Sequence, residues 1–121
     1  MTMKSHWQMI DSGSRVIANT PEQLWEQAKM YFEWCDKHPL TAKRTLTSGK
    51  TQGDKVEVEF VRPYTVKGFC IHANISERYL NDIVQSNQKD SEMFLIMERI
   101  LYIIHTQNVE GAMVDMYNPI M

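Results

Sequence analysis

The spacing of apolar residues along this chain changes twice. It is helical in residues 21–37, alternates with polar residues in 56–61, and is helical again from residue 65 onward. A period near 3.6 predicts helices with one buried face, and a period of two predicts a half-buried strand. The pattern therefore predicts a mainly α fold with one β-hairpin. A chain of 121 residues is expected to form one domain.

The first helix has a strong start signal in Thr20-Pro21-Glu22-Gln23. Threonine is a good N-cap, proline fits the first helical position, and glutamine at the fourth residue closes a capping box. We expect the helix to end at His38-Pro39, because the residue before proline avoids the α region. Its buried stripe is predicted to be Leu24, Ala28, Tyr31, Phe32 and Cys35, flanked by Trp25 and Trp34. Residues 1–19 are polar with isolated apolar positions and predict an irregular N-terminal arm, so the main domain is residues 20–121.

Residues 43–61 predict the hairpin. Val56, Val58 and Phe60 alternate with glutamates, and the β-prone segment 44–48 can pair with them across the loop 49–55. A hairpin alone is marginally stable in water. It must therefore pack on the helices or on a neighbouring copy.

Residues 65–85 predict two short helices joined by a tight turn, the arrangement of a helix-turn-helix. Thr65 caps the first helix, Asn74 tolerates the left-handed backbone of the turn, and Ser76 caps the second helix. The apolar positions that hold such a pair together are Phe69, Ala73, Ile75, Leu80 and Ile83, with the small Cys70 at the crossing. Helix pairs with short turns also occur in proteins that never contact DNA. The exposed side of the second helix carries a slight negative charge, which disfavours direct base reading.

Residues 91–116 predict a long helix that is apolar over most of its circumference. Phe94, Met97, Leu101 and Ile104 share one face, which Ile96, Ile100 and Ile103 widen. Such a helix lies either at the centre of a core or between two protein surfaces. The nine methionines fit a core and an adaptable interface equally well. The predicted oligomerisation residues are Trp25, Trp34, Phe94, Met97, Leu101 and Ile104.

Charge is distributed unevenly, although the net charge is only −2. Residues 41–68 carry six Lys and Arg against three Asp and Glu, whereas residues 69–121 carry three against seven. Any DNA contact is best sought in the basic segment, through phosphates rather than bases. The candidate DNA-binding residues are Lys43, Arg44, Lys50, Lys55, Lys67 and Arg78, although for each lysine taken singly ordinary solvation is the better explanation.

No residue pattern points to catalysis, a metal or a cofactor. The four histidines are scattered singly, and no phosphate-binding loop or nucleophile elbow occurs. Cys35 and Cys70 have no partner motif and are predicted to be reduced core thiols of a cytoplasmic protein. No apolar run approaches the roughly 20 residues of a membrane span. An enzyme is the class that the sequence favours least.

Three segments in consistent order resemble the small terminase subunits, the DNA-packaging proteins of tailed bacteriophages and prophages. They are Thr20–Trp25 with Tyr31–Leu40, then Arg62–Phe69, then Val109–Met121. The second segment is similar to the family's P-x-T-x-x-G-[FL] motif, and His38 stands where the family has Asn. The resemblance covers residues 20–121.

The resemblance implies a non-catalytic subunit that forms a ring of about eight to eleven copies in the bacterial host cytoplasm. Such a ring recognises double-stranded viral DNA and delivers it to the large terminase subunit, which carries the ATPase and nuclease. Family members also continue into an apolar helix and a basic tail, which this sequence is expected to lack. Two alternatives stay open: a dimeric helix-turn-helix transcriptional regulator of a phage or prophage, and a structural phage protein with no DNA role.

Overall fold

The computed structural model describes residues 5–11, 18–45, 53, 55–86, 88 and 91–116. These residues form helices and one antiparallel hairpin, as the apolar spacing predicts. The elements in chain order are α1 His6–Asp11, α2 Pro21–Lys37, β1 Leu40–Thr45, β2 Lys55–Phe60, α3 Val66–Ala73, α4 Glu77–Val84 and α5 Glu92–Met116.

Helix α2 begins and ends where the sequence predicts. The Thr20 hydroxyl accepts a hydrogen bond from the Gln23 backbone N–H at 3.2 Å. The Gln23 side chain reaches back one residue further than in a standard capping box and accepts from the Asn19 N–H, also at 3.2 Å. At the other end, the His38 N–H donates to the Cys35 carbonyl and closes the last turn before Pro39.

The N-terminal arm contains a helix, so the prediction of an irregular segment is wrong for residues 6–11. Helix α1 packs on α3, and the His6 ring lies 4.7 Å from the Trp34 ring and 5.5 Å from the His72 ring, measured between centroids. A six-residue helix is too short to be stable by itself. These ring contacts with α2 and α3 supply the support that the local sequence does not reveal.

The first strand lies nearer to α2 than predicted. It begins at Leu40 rather than at residue 44 and is described as far as Thr45, while Leu46, Thr47 and Ser48 fall outside the described residues. Its register places Leu40 opposite Phe60, Lys43 opposite Glu57 and Thr45 opposite Lys55. Because Pro39 holds the chain extended after α2, the strand can begin at once. The second strand confirms the alternating pattern.

Helices α3 and α4 form the predicted pair. The Thr65 hydroxyl accepts from the Gly68 N–H at 2.9 Å, and the Ser76 hydroxyl accepts from the Tyr79 N–H at 3.0 Å. Asn74 adopts the left-handed conformation, with φ of 57° and ψ of 45°. Its left-handed backbone reverses the chain, and the Ile75 N–H donates to the Cys70 carbonyl to close the turn. The local signals at Thr65, Asn74 and Ser76 are therefore confirmed.

The core lies where α2, α3 and α5 meet, with α4 adding Leu80. Helix α5 begins after Ser91, whose hydroxyl accepts from the Phe94 N–H at 3.2 Å. Its inner face contributes Phe94, Met97, Ile100 and Ile104. Beyond Ile104, most of its described side chains are exposed. The loop after the hairpin is tied to this part of α5, because the Tyr64 N–H donates to Gln107 and the Asn108 amide donates to the Tyr64 carbonyl.

Candidate nucleic-acid interface

The hairpin has one polar face, and two candidate lysines lie on it. Side chains alternate between the faces of a strand, so the pairs Lys43–Glu57 and Thr45–Lys55 point to the same side. Lys43 and Lys55 are diagonal neighbours across the two strands, and both are exposed. Glu57 and Glu59 share the face. The register thus brings two cations together, with two carboxylates that reduce the local positive charge.

The other candidates lie on other elements or have side chains outside the described part of the structure. Lys67 is exposed in the first turn of α3, and Arg78 is exposed in the first turn of α4. The Arg44 backbone pairs with Val56 in the hairpin. The Arg44 side chain and the whole of Lys50 fall outside the described part of the structure. The basic residues therefore follow the hairpin and the helix pair rather than forming one compact patch.

The outer face of α4 does not have the charge of a typical recognition helix. Its exposed residues are Glu77, Arg78, Asn81 and Asp82. One cation against two anions gives this face a net charge of −1. Neutralising phosphates supplies much of the affinity for DNA. The charge of this face is therefore unfavourable for insertion into the major groove.

Arg62, which is basic but absent from the predicted site, has a different role. Its Nε–H donates to the His38 carbonyl at 2.6 Å, and its guanidinium lies 4.8 Å from the centre of the Trp34 ring. A carbonyl at the end of α2 is an acceptor without an intrahelical partner, so this hydrogen bond caps the helix from a distance. Arg62 thus joins the end of the hairpin to α2.

A histidine pair joins α1 to α3, and no sequence pattern predicts it. His6 Nδ1 lies 3.4 Å from His72 Nε2, and the Tyr31 and Trp34 rings lie about 5 Å from the His72 ring. Burial, together with a smaller effect of the neighbouring His6, lowers the pKa of His72 to about 4. His72 Nδ1 has no hydrogen-bond partner among the described residues. In the part of the chain described, no three potential metal ligands converge.

Both cysteines are free and buried, which confirms the prediction of core thiols. Burial raises the pKa of the Cys70 thiol to about 11, and burial also raises the pKa of Cys35. Thiols held in the protonated form are poor nucleophiles.

Most of the predicted oligomerisation residues are buried within this chain. Four of them are buried apolar side chains of the chain itself: Trp34, Phe94, Met97 and Ile104. The other two, Trp25 and Leu101, are partly buried and pack against the core. Their burial is thus explained without a second copy, and a role in oligomerisation stays a prediction. The apolar residues that α5 exposes are Leu95, Tyr102, Val109, Met113 and Val114. The sequence did not separate these two sets, because the helix is apolar on several sides.

Two grooves border this outer side of α5. One has a volume of about 720 Å³ and lies between α5 and the start of α2; it is lined by Pro21, Glu22, Trp25, Glu92, Leu95, Ile96, Arg99 and Ile103. The other has about 650 Å³ and lies between α5 and the base of the hairpin, with Phe60, Val61 and Val114 among its lining residues. The described residues that line the two grooves include no cluster of catalytic groups.

The fold and surface define a small helical protein that carries a capped helix pair and a two-faced hairpin with lysines on its polar side. No helix among its described residues is long and apolar enough to cross a membrane. The chain belongs to the family of the DNA-packaging protein gp3, whose model matches residues 13–121. The match agrees with the resemblance to phage small terminase subunits and assigns the chain a role in phage DNA packaging. A comparison with the curated proteins found no significant match.

Proposed function

We propose that this chain is a non-catalytic small terminase subunit. It assembles into a ring, recognises double-stranded viral DNA and presents that DNA to the large terminase subunit. Membership of a DNA-packaging family over residues 13–121 carries the proposal. The described surface supports it with paired lysines on the hairpin and with apolar side chains exposed along α5.

A ring reconciles DNA binding with the charge of the chain. The net charge of −2 gives a single copy little attraction for phosphate. When copies are linked in one assembly, each additional weak contact becomes intramolecular, so that a modest contact per copy produces a useful total affinity. Lys43 and Lys55 are the proposed phosphate contacts of the hairpin, and Lys67 and Arg78 those of the helix pair.

A dimeric transcriptional regulator is the second candidate, and the capped α3–α4 pair favours it. Its recognition helix would need to enter the major groove, where the net negative charge of the α4 surface is unfavourable. Light scattering on a sizing column separates the two functions. A species of more than six copies supports the terminase subunit, whereas a stable dimer supports the regulator.

Salt-dependent binding to a duplex tests the DNA role. The double variant Lys43→Ala/Lys55→Ala removes both hairpin lysines. Its matched control is Lys29→Ala/Lys37→Ala, which removes the same charge from α2, where Lys29 is paired with Glu26 at 3.0 Å. We expect the hairpin variant to lower the slope of log affinity against log salt by about 2 per copy, since each phosphate contact contributes about 0.9.

Three results would count against parts of this proposal. Absence of any duplex binding by the wild-type assembly would favour a purely structural phage protein. Equal weakening by the control would attribute the effect to net charge rather than to the hairpin. Unchanged binding in the hairpin variant, combined with a loss in Arg78→Ala, would move the DNA contact to the helix pair.

A further inference from the structure

The second face of the hairpin is mainly apolar, and it is exposed at Leu40, Ala42 and Val56. Opposite the lysine face, the register pairs Leu40 with half-buried Phe60, Ala42 with half-buried Val58, and Arg44 with Val56. Leu40 is 41% exposed and Val56 is 37% exposed. Among the described elements, the two strands pack chiefly against each other. A two-stranded hairpin without further support is marginally stable, so this face needs a cover whenever the hairpin is folded.

We propose that the apolar face of the hairpin docks in the groove between α2 and α5 of a second copy of this chain. This inference rests on the proposed ring and names the surfaces that build it. The groove is the one that begins at Pro21 and Trp25 and follows α5 from Glu92 to Ile103. Leu95, one of its lining residues, is 51% exposed.

The two surfaces match in length. Residues 92–103 of α5 extend for about 17 Å at roughly 1.5 Å per residue. The six residues of each strand extend for about 20 Å at roughly 3.3 Å per residue. A flat apolar face can therefore lie along the whole groove and cover Leu95, Ile96 and Trp25.

The charges also match in sign. Glu22 and Glu92 against Arg99 give the groove a net charge of −1. Among the strand positions on the docking side of the hairpin, the charged residue is Arg44, opposite Val56, so these positions carry a net charge of +1. The other exposed apolar segment of the chain, the second half of α5, carries Glu110 and Asp115 and has no Lys or Arg over residues 100–116. Electrostatics therefore favour the hairpin over this end of α5 as the occupant of the groove.

The geometry of this contact suits a ring. The hairpin and the groove are different surfaces of one chain, so their pairing is heterologous and leaves a free groove and a free hairpin at the two ends of every dimer. Further copies add until the ring closes. The lysine face of the hairpin points away from the neighbour and stays available for phosphate.

Charge substitutions at the centre of each surface test the contact. Ala42→Glu places a carboxylate on the apolar face of the hairpin, and Leu95→Glu places one in the groove. The matched controls are Thr45→Glu, on the polar face of the same strand, and His105→Glu, on an exposed position of the same helix. Circular dichroism and the melting temperature verify that each variant folds. We expect both test variants to sediment as monomers and both controls to assemble as the wild type does.

Mixing the two test variants distinguishes this contact from other interfaces. The intact hairpin of Leu95→Glu can occupy the intact groove of Ala42→Glu, so the mixture is expected to form a one-to-one dimer and nothing larger. Sedimentation and lysine cross-linking at the concentration at which the wild type assembles measure this. Assembly of either variant alone, or no dimer in the mixture, overturns the docking contact and leaves the ring intact. A wild-type protein that stays monomeric overturns the ring itself.

Discussion

Gly68 fixes how closely α3 approaches α2, and the substitution Gly68→Ala tests this. A Cβ at residue 68 would lie 2.8 Å from both the Thr65 hydroxyl oxygen and the Tyr31 ring carbon Cζ, and still nearer to the Tyr31 hydroxyl. Real Cβ atoms do not approach other heavy atoms to such distances. Tyr31 cannot move aside easily, because it is 1% exposed and its hydroxyl accepts a hydrogen bond from the Thr65 N–H at 2.8 Å.

The magnitude follows from three contributions. Overpacking of a filled core costs about 1–3 kcal/mol. Weakening of the hydrogen bond from Thr65 to Tyr31 adds about 0.5–1.5 kcal/mol. Alanine in place of glycine within a helix returns about 1 kcal/mol. We therefore expect Gly68→Ala to lower the free energy of unfolding by about 1–3 kcal/mol, which at this chain length lowers the melting temperature by roughly 4–12 °C.

Thermal and urea unfolding, followed by circular dichroism, measure the effect. Gly111→Ala is the matched control, because it lies in a helix and a Cβ there would meet nothing within 4 Å. The control should gain up to about 1 kcal/mol of stability. If Gly68→Ala were as stable as the wild type, the close approach of α3 to α2 would not constrain this position, and the reasoning would be refuted.

A double-mutant cycle with Tyr31→Phe locates the overlap. Removal of the hydroxyl alone should be destabilising, because the Thr65 N–H loses its acceptor. In the Gly68→Ala background the same removal also relieves the overlap with the hydroxyl, which is the shortest of the three contacts, so it should cost less or be stabilising. A coupling energy of at least about 1 kcal/mol is expected for residues in such contact. Additive effects would place the strain elsewhere.

Three further predictions concern protonation, capping and thiol reactivity. The pKa of His72 is about 4 in the folded chain against 6.5 as the ordinary value, so the unfolded chain binds more protons between these pH values. The free energy of unfolding should therefore fall by up to about 3 kcal/mol as the pH decreases from 6.5 to 4. In urea titrations at several pH values, His72→Phe should lessen this fall. A variant with the same pH profile as the wild type would show that His72 is not the group responsible. Thr65→Ala removes the acceptor for the Gly68 N–H and should cost about 0.5–2 kcal/mol in the same assay, whereas Thr41→Ala on the exposed strand should cost less. Cys35 and Cys70 are buried, and their pKa values are raised. They should therefore react with a thiol reagent only as fast as the protein unfolds, which mass spectrometry of the labelled protein measures. Rapid labelling of the native protein would contradict this.

The helix boundaries were predictable because their signals are local. Thr20, Thr65, Asn74 and Ser76 each act within three or four residues, and each has the expected backbone conformation or hydrogen bond. The start of β1 was not predictable in this way. Leu40–Thr45 has no clear alternation, and only its pairing with Lys55–Phe60 defines it as a strand.

The surface was less predictable than the core for a related reason. Periodicity identifies the apolar sides of a helix, but α5 is apolar on several sides. The inner set that contains Met97 and the outer set that contains Leu95 are equally hydrophobic, and only the positions of α2 and α4 decide between them. Likewise, Lys43 and Lys55 are separated by a loop in sequence, and the strand register alone brings them to one face. Helix α1 depends on rings from two other helices, so its own sequence carries little information about it.

The alternation of side chains along the hairpin allows the two proposed roles to be separated experimentally. In the proposed ring, the apolar face of the hairpin joins neighbouring copies and the lysine face contacts phosphate. Because side chains alternate along a strand, these two faces lie on opposite sides of the hairpin. Ala42→Glu should therefore weaken DNA binding only by dissociating the ring, so its affinity should equal that of a single wild-type copy. Lys43→Ala/Lys55→Ala should leave the mass of the assembly unchanged while reducing the salt dependence of DNA binding. If both variants lost assembly and DNA binding together, one face would serve both roles, and the division of the hairpin into an assembly face and a DNA face would be wrong.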